Sequence, residues 1–165
     1  MVKHDLKWLI HLTEVEYRGH SFNGYSLTET VRSLTLDQVL SKNAHQSFTV
    51  WGLVLHCAYF KWKMTLFLRP DVPIDFPYEQ TDFPALPENR SGDAWRESLL
   101  VSDRIHDTYI EVLRAVKGDF DRSGIQEWDC GFGEAIAWIA THDTYHNAQI
   151  RNMGLKGLYK SSGKK

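Results

Sequence analysis

All five prolines of this 165-residue chain lie between Pro70 and Pro87, and long stretches without proline stand on either side. Proline has no amide hydrogen to donate, and its ring clashes with the preceding helical turn, so this segment cannot continue a helix. We therefore predict that residues 70–92 form a long non-helical crossover that lies across helices built from the flanking stretches.

Apolar residues recur at helical spacing in four of those flanking stretches. Four long helices joined by one medium and one long crossover predict an all-α fold, an antiparallel or mixed four-helix bundle. A chain of this length is expected to form a single domain, residues 1–165. The predicted helices are Asp5 to about Arg18, Ser47 (as N-cap) to about Arg69, Asp93 to about Lys117, and about Phe132 to Met153.

The connections carry fewer signals. Capping-box patterns that begin at Ser26 and Thr35 predict two short helical turns within residues 19–46. We expect no strand, because clean period-two alternation of apolar residues is missing. Residues 118–130 are interpreted as a polar loop, and Gly131 and Gly154 as the N-terminal and C-terminal caps of the last helix.

The composition favours an ordinary soluble protein, with 24% charged residues and a net charge of −2. No basic stripe predicts a nucleic-acid partner, and no segment is long and apolar enough to predict a membrane span. The N-terminus lacks the apolar core of a signal peptide. Cys57 and Cys130 have neither metal-site nor CxxC spacing, so we interpret both as reduced thiols in a cytoplasmic protein.

Two histidines, His142 and His146, stand four residues apart in the last predicted helix. This spacing places both imidazoles on one face, about one turn apart, where they can offer two nitrogen ligands to one metal ion. They continue an apolar, inward-facing stripe, so both need buried polar partners. A metal ion is one such partner, and a hydrogen-bonded pair of core histidines is an equally supported alternative on this motif alone.

Two further histidines lie near inward faces. His56 is in the middle of the inward face of the second long helix, and His106 lies near the apolar stripe of the third. We interpret His106 as a core or boundary residue and not as a metal ligand. Cys57 follows His56 but points about 100° away from it on an ideal helix, so it is not proposed as a ligand either.

The segment His142-Asp143-xx-His146-xx-Gln149-Ile150 closely resembles the final-helix motif of the DinB superfamily, the DinB/YfiT-like metalloenzymes. Gly24-Tyr25-Ser26-Leu27 resembles the family's segment after its first helix. The stretch from His45 to His56 resembles the start of the family's second helix and ends on its first metal-ligand histidine. The resemblance covers roughly residues 5–153.

This resemblance implies a four-helix bundle that holds a divalent metal ion through His56, His142 and His146. The chain departs from the family at Phe22 and Asn23, where many relatives carry Trp and His, and this puts the transfer of a substrate in doubt. Gly131 also stands where a capping Ser or Thr is common.

Three neutral imidazoles suit Zn or Ni best, with Fe or Cu also suitable, whereas Mg and Ca prefer oxygen ligands. Three protein ligands leave at least one coordination position open, which is typical of a catalytic site. An ion there lowers the pKa of a bound water or thiol and so supplies a nucleophile at neutral pH.

Three polar residues near the predicted ligands are candidates for a catalytic role. Asp143 occupies the place of the Glu in HExxH metalloproteases, although its shorter side chain favours a supporting or packing role. Gln149 has two equally supported roles: to bind a substrate or orient a ligand, or to be an ordinary buried amide. Lys63 is a candidate for attracting an anionic substrate, although a lysine extended along the bundle end is the favoured interpretation.

By resemblance, the function is that of a metal-dependent enzyme that transfers a low-molecular-weight thiol to an electrophilic small molecule, with metal-assisted hydrolysis as a variant. The alternative is a non-catalytic metal-binding or stress-response bundle that acts as a dimeric binding module. The resemblance and the six tryptophans favour a homodimer.

Overall fold

The computed structural model describes residues 5–42, 47–118, 120, 124–156 and 158. It is mostly helical, with 62% helix and a few short strands, and this confirms the all-α class. The described helices are α1 Leu6–Arg18, α2 Leu27–Arg32, α3 Leu36–Val39, α4 Val50–Leu68, α5 Gly92–Ala115 and α6 Phe132–Arg151. None of these described helices combines the length and apolarity needed to cross a membrane.

The capping boxes predicted at Ser26 and Thr35 are confirmed. The Glu29 carboxylate accepts a hydrogen bond from the Ser26 amide at 2.9 Å, and the Gln38 side-chain oxygen accepts one from the Thr35 amide at 2.9 Å. Each pair satisfies an amide that the helix itself leaves without a partner, and this defines where α2 and α3 begin.

Two predicted caps are wrong. Thr49, not Ser47, caps α4, since its hydroxyl accepts from the Gly52 amide at 2.9 Å. Ser47 has φ 59°, a left-handed conformation, whereas an N-cap residue needs an extended backbone. Asn152 is the C-cap of α6, and Gly154 lies beyond it with φ 68°. Gly131 does precede α6, and the Glu134 carboxylate accepts from its amide at 3.0 Å.

The prediction that the chain forms no strand is also wrong. Strands β1 (His20–Ser21) and β2 (Gly24–Tyr25) form one antiparallel hairpin, and β3 (Gly124–Ile125) and β4 (Cys130–Gly131) form another. A short 3₁₀ helix, Gln126–Trp128, connects β3 and β4, so residues 118–130 are not simply a polar loop. Strands of two residues are too short to show a period-two pattern.

The four long helices pack against one another. Helix α4 lies against α5 and α6, and α1 lies against α6 and α5. Twelve of the nineteen residues of α4 are buried, so α4 is covered on most sides. From this position His56 reaches His142 on α6, and Lys61 lies over the Tyr17 ring on α1.

The crossover between α4 and α5 is non-helical, as predicted, and it packs on the helices. Phe76 is buried, and the Tyr78 hydroxyl donates to Ser98 on α5 at 2.8 Å. Phe83 stacks on Phe48 with ring centroids 3.8 Å apart. The crossover therefore covers the same end of α4 that carries His56.

Candidate metal centre

Three histidines from two helices meet at one point. His56 on α4 lies opposite His142 and His146 on α6, and the Nε2 atom of His142 is 3.0 Å from the Nε2 atoms of both others. Only 4–7% of each residue is exposed. These three residues form a buried cluster that could hold a metal ion.

The outer nitrogens of two rings are fixed by acceptors. His56 Nδ1 lies 2.7 Å from the Asp82 carbonyl oxygen and 3.0 Å from its carboxylate, and His146 Nδ1 lies 2.8 Å from Gln149 Oε1. The amide nitrogen of Gln149 donates to the Tyr145 hydroxyl at 3.1 Å. With Gln149 in this orientation, both Nδ1 atoms carry the ring hydrogen, and the Nε2 atoms of His56 and His146 present lone pairs to the centre.

Burial keeps the cluster neutral. Burial, then the neighbouring histidines, lowers the pKa of His142 to about 2, and burial, then His56, lowers the pKa of His146 to about 4. The pKa of His56 is also lowered by burial, although Asp82 opposes this effect. Neutral imidazole is the form that binds a metal ion, so proton competition is weak at neutral pH.

The spacing also suits a metal ion. Nitrogens placed 2.0–2.1 Å from a tetrahedral ion would be about 3.3 Å apart. The observed separations of 3.0 Å differ from this by only a few tenths of an ångström. The residues present thus fit a bound divalent ion.

The cluster opens onto a cavity of about 630 Å³. Its walls include Asp82 and Phe83 from the crossover, Phe60 from α4, and Trp138 and Tyr145 from α6. Phe83 stacks on the His56 ring with centroids 4.0 Å apart. A ligand in this cavity would reach the three Nε2 atoms from the side that no described protein group fills.

The structure directs Asp143 away from the candidate site. Its carboxylate oxygen lies 2.5 Å from Lys61 Nζ, and each side chain is 1% exposed. Asp143 does not line the cavity, so it is not placed to take a proton from a molecule bound there. It instead connects α6 to α4 directly beside the ligand His142.

The other two candidates have different surroundings. Lys63 forms an ion pair with Glu127 and does not line the cavity, so its charge is already compensated. Gln149 holds the Nδ1–H of His146, which is the ligand-orienting role considered for it.

The remaining polar residues singled out in the sequence lie apart from the centre. His106 is fully buried and stacks on Tyr17 with centroids 3.9 Å apart, as expected for a core residue. Cys57 is buried and is not part of the histidine cluster.

Sequence reasoning missed Asp82, which supports His56 partly through its backbone carbonyl. Every residue type has such a carbonyl, so no sequence signal identifies it. Phe60, Phe83 and Trp138 were also not recognised as cavity residues, because aromatic residues at helical spacing look the same whether they fill a core or line a cavity.

Replacing Gln149 with leucine is expected to weaken metal binding by roughly 10–100-fold, because His146 loses the acceptor that fixes its tautomer and orientation. Competition with a chromophoric chelator measures the affinity. Gln126→Leu, at an exposed position on the 3₁₀ helix, is the control and should bind as the wild type does. Equal affinities of all three proteins would show that Gln149 does not support a ligand.

Comparison of the chain with models of known protein families, with curated proteins and with solved structures finds no match.

Proposed function

We propose that this protein is a metal-dependent enzyme of the DinB type, in which α1, α4, α5 and α6 form a four-helix bundle around an open three-histidine site. The observation that carries the proposal is the convergence of three Nε2 atoms on one point at the wall of a cavity. The motif around His142 and His146, the short helices after α1 and the position of His56 support the family assignment.

The donor set favours Zn or Ni, and Fe is also suitable. A divalent ion held by three imidazoles supplies one type of chemistry: it lowers the pKa of a water or thiol at its open position and makes it nucleophilic. Around that position Phe60 and Phe83 form apolar walls of the cavity, and Asp82 and Gln149 orient two of the histidines.

The proposed reaction is the transfer of a low-molecular-weight thiol to an electrophilic small molecule, in the cytoplasm and by a homodimer. Metal-assisted hydrolysis would use the same open position. The choice between these reactions rests on the DinB resemblance, because one fold supports many reactions.

Elemental mass spectrometry of the untagged protein, purified without added metal or chelator, tests the proposal. We expect near-stoichiometric Zn or Ni in the wild type and little in His142→Ala, because two imidazoles hold an ion far more weakly than three. His11→Ala removes an exposed histidine of α1 and should retain the metal.

If neither the wild type nor His142→Ala contains metal, although both fold equally and also fail to take up added Zn or Ni, the enzyme proposal fails. The three histidines would then be a polar cluster of the core, and the dimeric binding module would become the better interpretation. If metal is present, loss of a model electrophile in the presence of a thiol, measured against the metal-free protein, tests the transferase reaction.

A further inference from the structure

A second cavity, of about 470 Å³, adjoins the one in front of the histidines. Phe60 and Trp138 line both cavities, so the two meet at these side chains. The ring of Trp138 is 4.5 Å from that of His142 and 5.7 Å from that of Trp128. A molecule bound at the histidines that passes the Trp138 side chain would therefore reach Trp128.

Three of the six described residues that line the second cavity are aromatic. Phe60 and Trp138 meet edge to face at 4.9 Å, and Trp128 contacts both rings at 5.7–5.8 Å. Trp138 remains 41% exposed, so part of the apolar surface of its ring is left open to a ligand. Another aromatic ring placed among these rings would gain further stacked and edge contacts.

The charged side chains around the two cavities disfavour a negative charge on the part of a ligand that lies away from the metal position. The charged side chains that line them are Asp82 and Glu134, and no lysine or arginine is among the described lining residues. Lys63, which is close in sequence to Phe60, is paired with Glu127. A carboxylate or phosphate in the second cavity would thus lie near Glu134, with no lysine or arginine among the described lining residues.

We propose that the thiol bound at the open position of this site is an uncharged aromatic compound, with its sulfur at the three histidines and its ring in the cavity formed by Phe60, Trp128 and Trp138. This inference rests on the proposed function, since it requires a metal ion with an open position. The inference narrows the substrate class to small molecules that carry no negative charge on the part that lies in the second cavity.

Binding of model thiols to the Zn-loaded protein, measured by isothermal titration calorimetry, tests the inference. Ethanethiol reports on the metal position alone, and a series of phenylalkanethiols with one to four methylene groups reports on the second cavity. We expect the best phenyl compound to bind at least about tenfold tighter than ethanethiol, because it buries a phenyl ring. A para-carboxylate on the ring should remove that gain.

Trp128→Leu and Trp128→Ala are the informative variants, since Trp128 lies in the second cavity and away from the histidines. Both variants should keep the metal and the affinity for ethanethiol. Both should lose most of the extra affinity that the phenyl compounds have over ethanethiol. Trp8→Ala removes an exposed tryptophan of α1 and should retain the extra affinity for the phenyl compounds.

The outcomes separate the two proposals. If the protein takes up no metal or does not bind ethanethiol, the proposed function fails. If ethanethiol binds but no phenyl compound binds more tightly, or if a para-trimethylammonium compound binds more tightly than the neutral one, only the inference about an uncharged aromatic thiol is overturned.

Discussion

Replacing Lys61 with methionine is expected to destabilise the protein by about 3–5 kcal/mol, because the change leaves the Asp143 carboxylate buried without its partner. Both side chains are 1% exposed. Lys61 also lies over the Tyr17 ring, with Nζ 4.2 Å from the ring centroid. Urea denaturation followed by circular dichroism measures the free energy of unfolding.

Lys63→Met is a matched control, because it makes the same substitution two residues further along α4. Lys63 pairs with Glu127, whose side chain is 57% exposed, so the loss of this ion pair should cost less than about 1 kcal/mol. A double variant, Lys61→Met with Asp143→Leu, should recover most of the lost stability, since no buried charge remains. Equal effects of Lys61→Met and Lys63→Met would contradict the buried-pair interpretation.

This ion pair was not predictable from the sequence, and the reason is physical. Lys61 and Asp143 lie 82 residues apart. The sequence of α4 is apolar on most faces, which is typical of a buried helix, but it does not show which acidic residue a lysine on that helix would meet. In the sequence, Asp143 is a candidate only because it directly follows His142.

Local signals predicted much of the fold. The positions of α1, α4, α5 and α6 follow from apolar spacing, and α2 and α3 follow from capping boxes, because these signals act within a few residues. The two short hairpins and the true cap of α4 escaped prediction, since they depend on backbone conformations such as that of Ser47.

The candidate site was predictable only in part. The spacing of His142 and His146 placed both on one face, and the resemblance added His56. Asp82 and Phe83 come from the crossover, and their contacts with His56 span 26 and 27 residues of irregular chain. Such contacts have no period, so the cavity in front of the histidines could not be inferred.

The metal-free protein is expected to lose stability steeply as the pH falls from 7 to 5. Burial lowers the folded-state pKa of His142 to about 2 and that of His146 to about 4, whereas in the unfolded chain both have their ordinary value of about 6.5. Below this value the unfolded chain binds protons that the folded protein does not. The stability contribution of both residues is therefore fully present above about pH 6.5 and is lost as the pH falls towards 4.

The size of the loss follows from the linkage between protonation and folding. At pH 5 each of the two histidines lowers the free energy of unfolding by about 2 kcal/mol relative to pH 7, or about 4 kcal/mol together. Urea denaturation in the presence of a chelator measures this at both pH values. Carboxylates also contribute to acid destabilisation, so the relevant quantity is the difference between the wild type and a variant.

Between pH 7 and 5, the double variant His142→Gln with His146→Gln should lose about 4 kcal/mol less of its free energy of unfolding than the wild type does. A second double variant, His11→Gln with His20→Gln, removes two exposed histidines. Its free energy of unfolding should depend on pH as that of the wild type does. If all three proteins show the same dependence, the histidines of the centre are not held neutral by burial. The three histidines would then not be held in the metal-binding, neutral form by their surroundings.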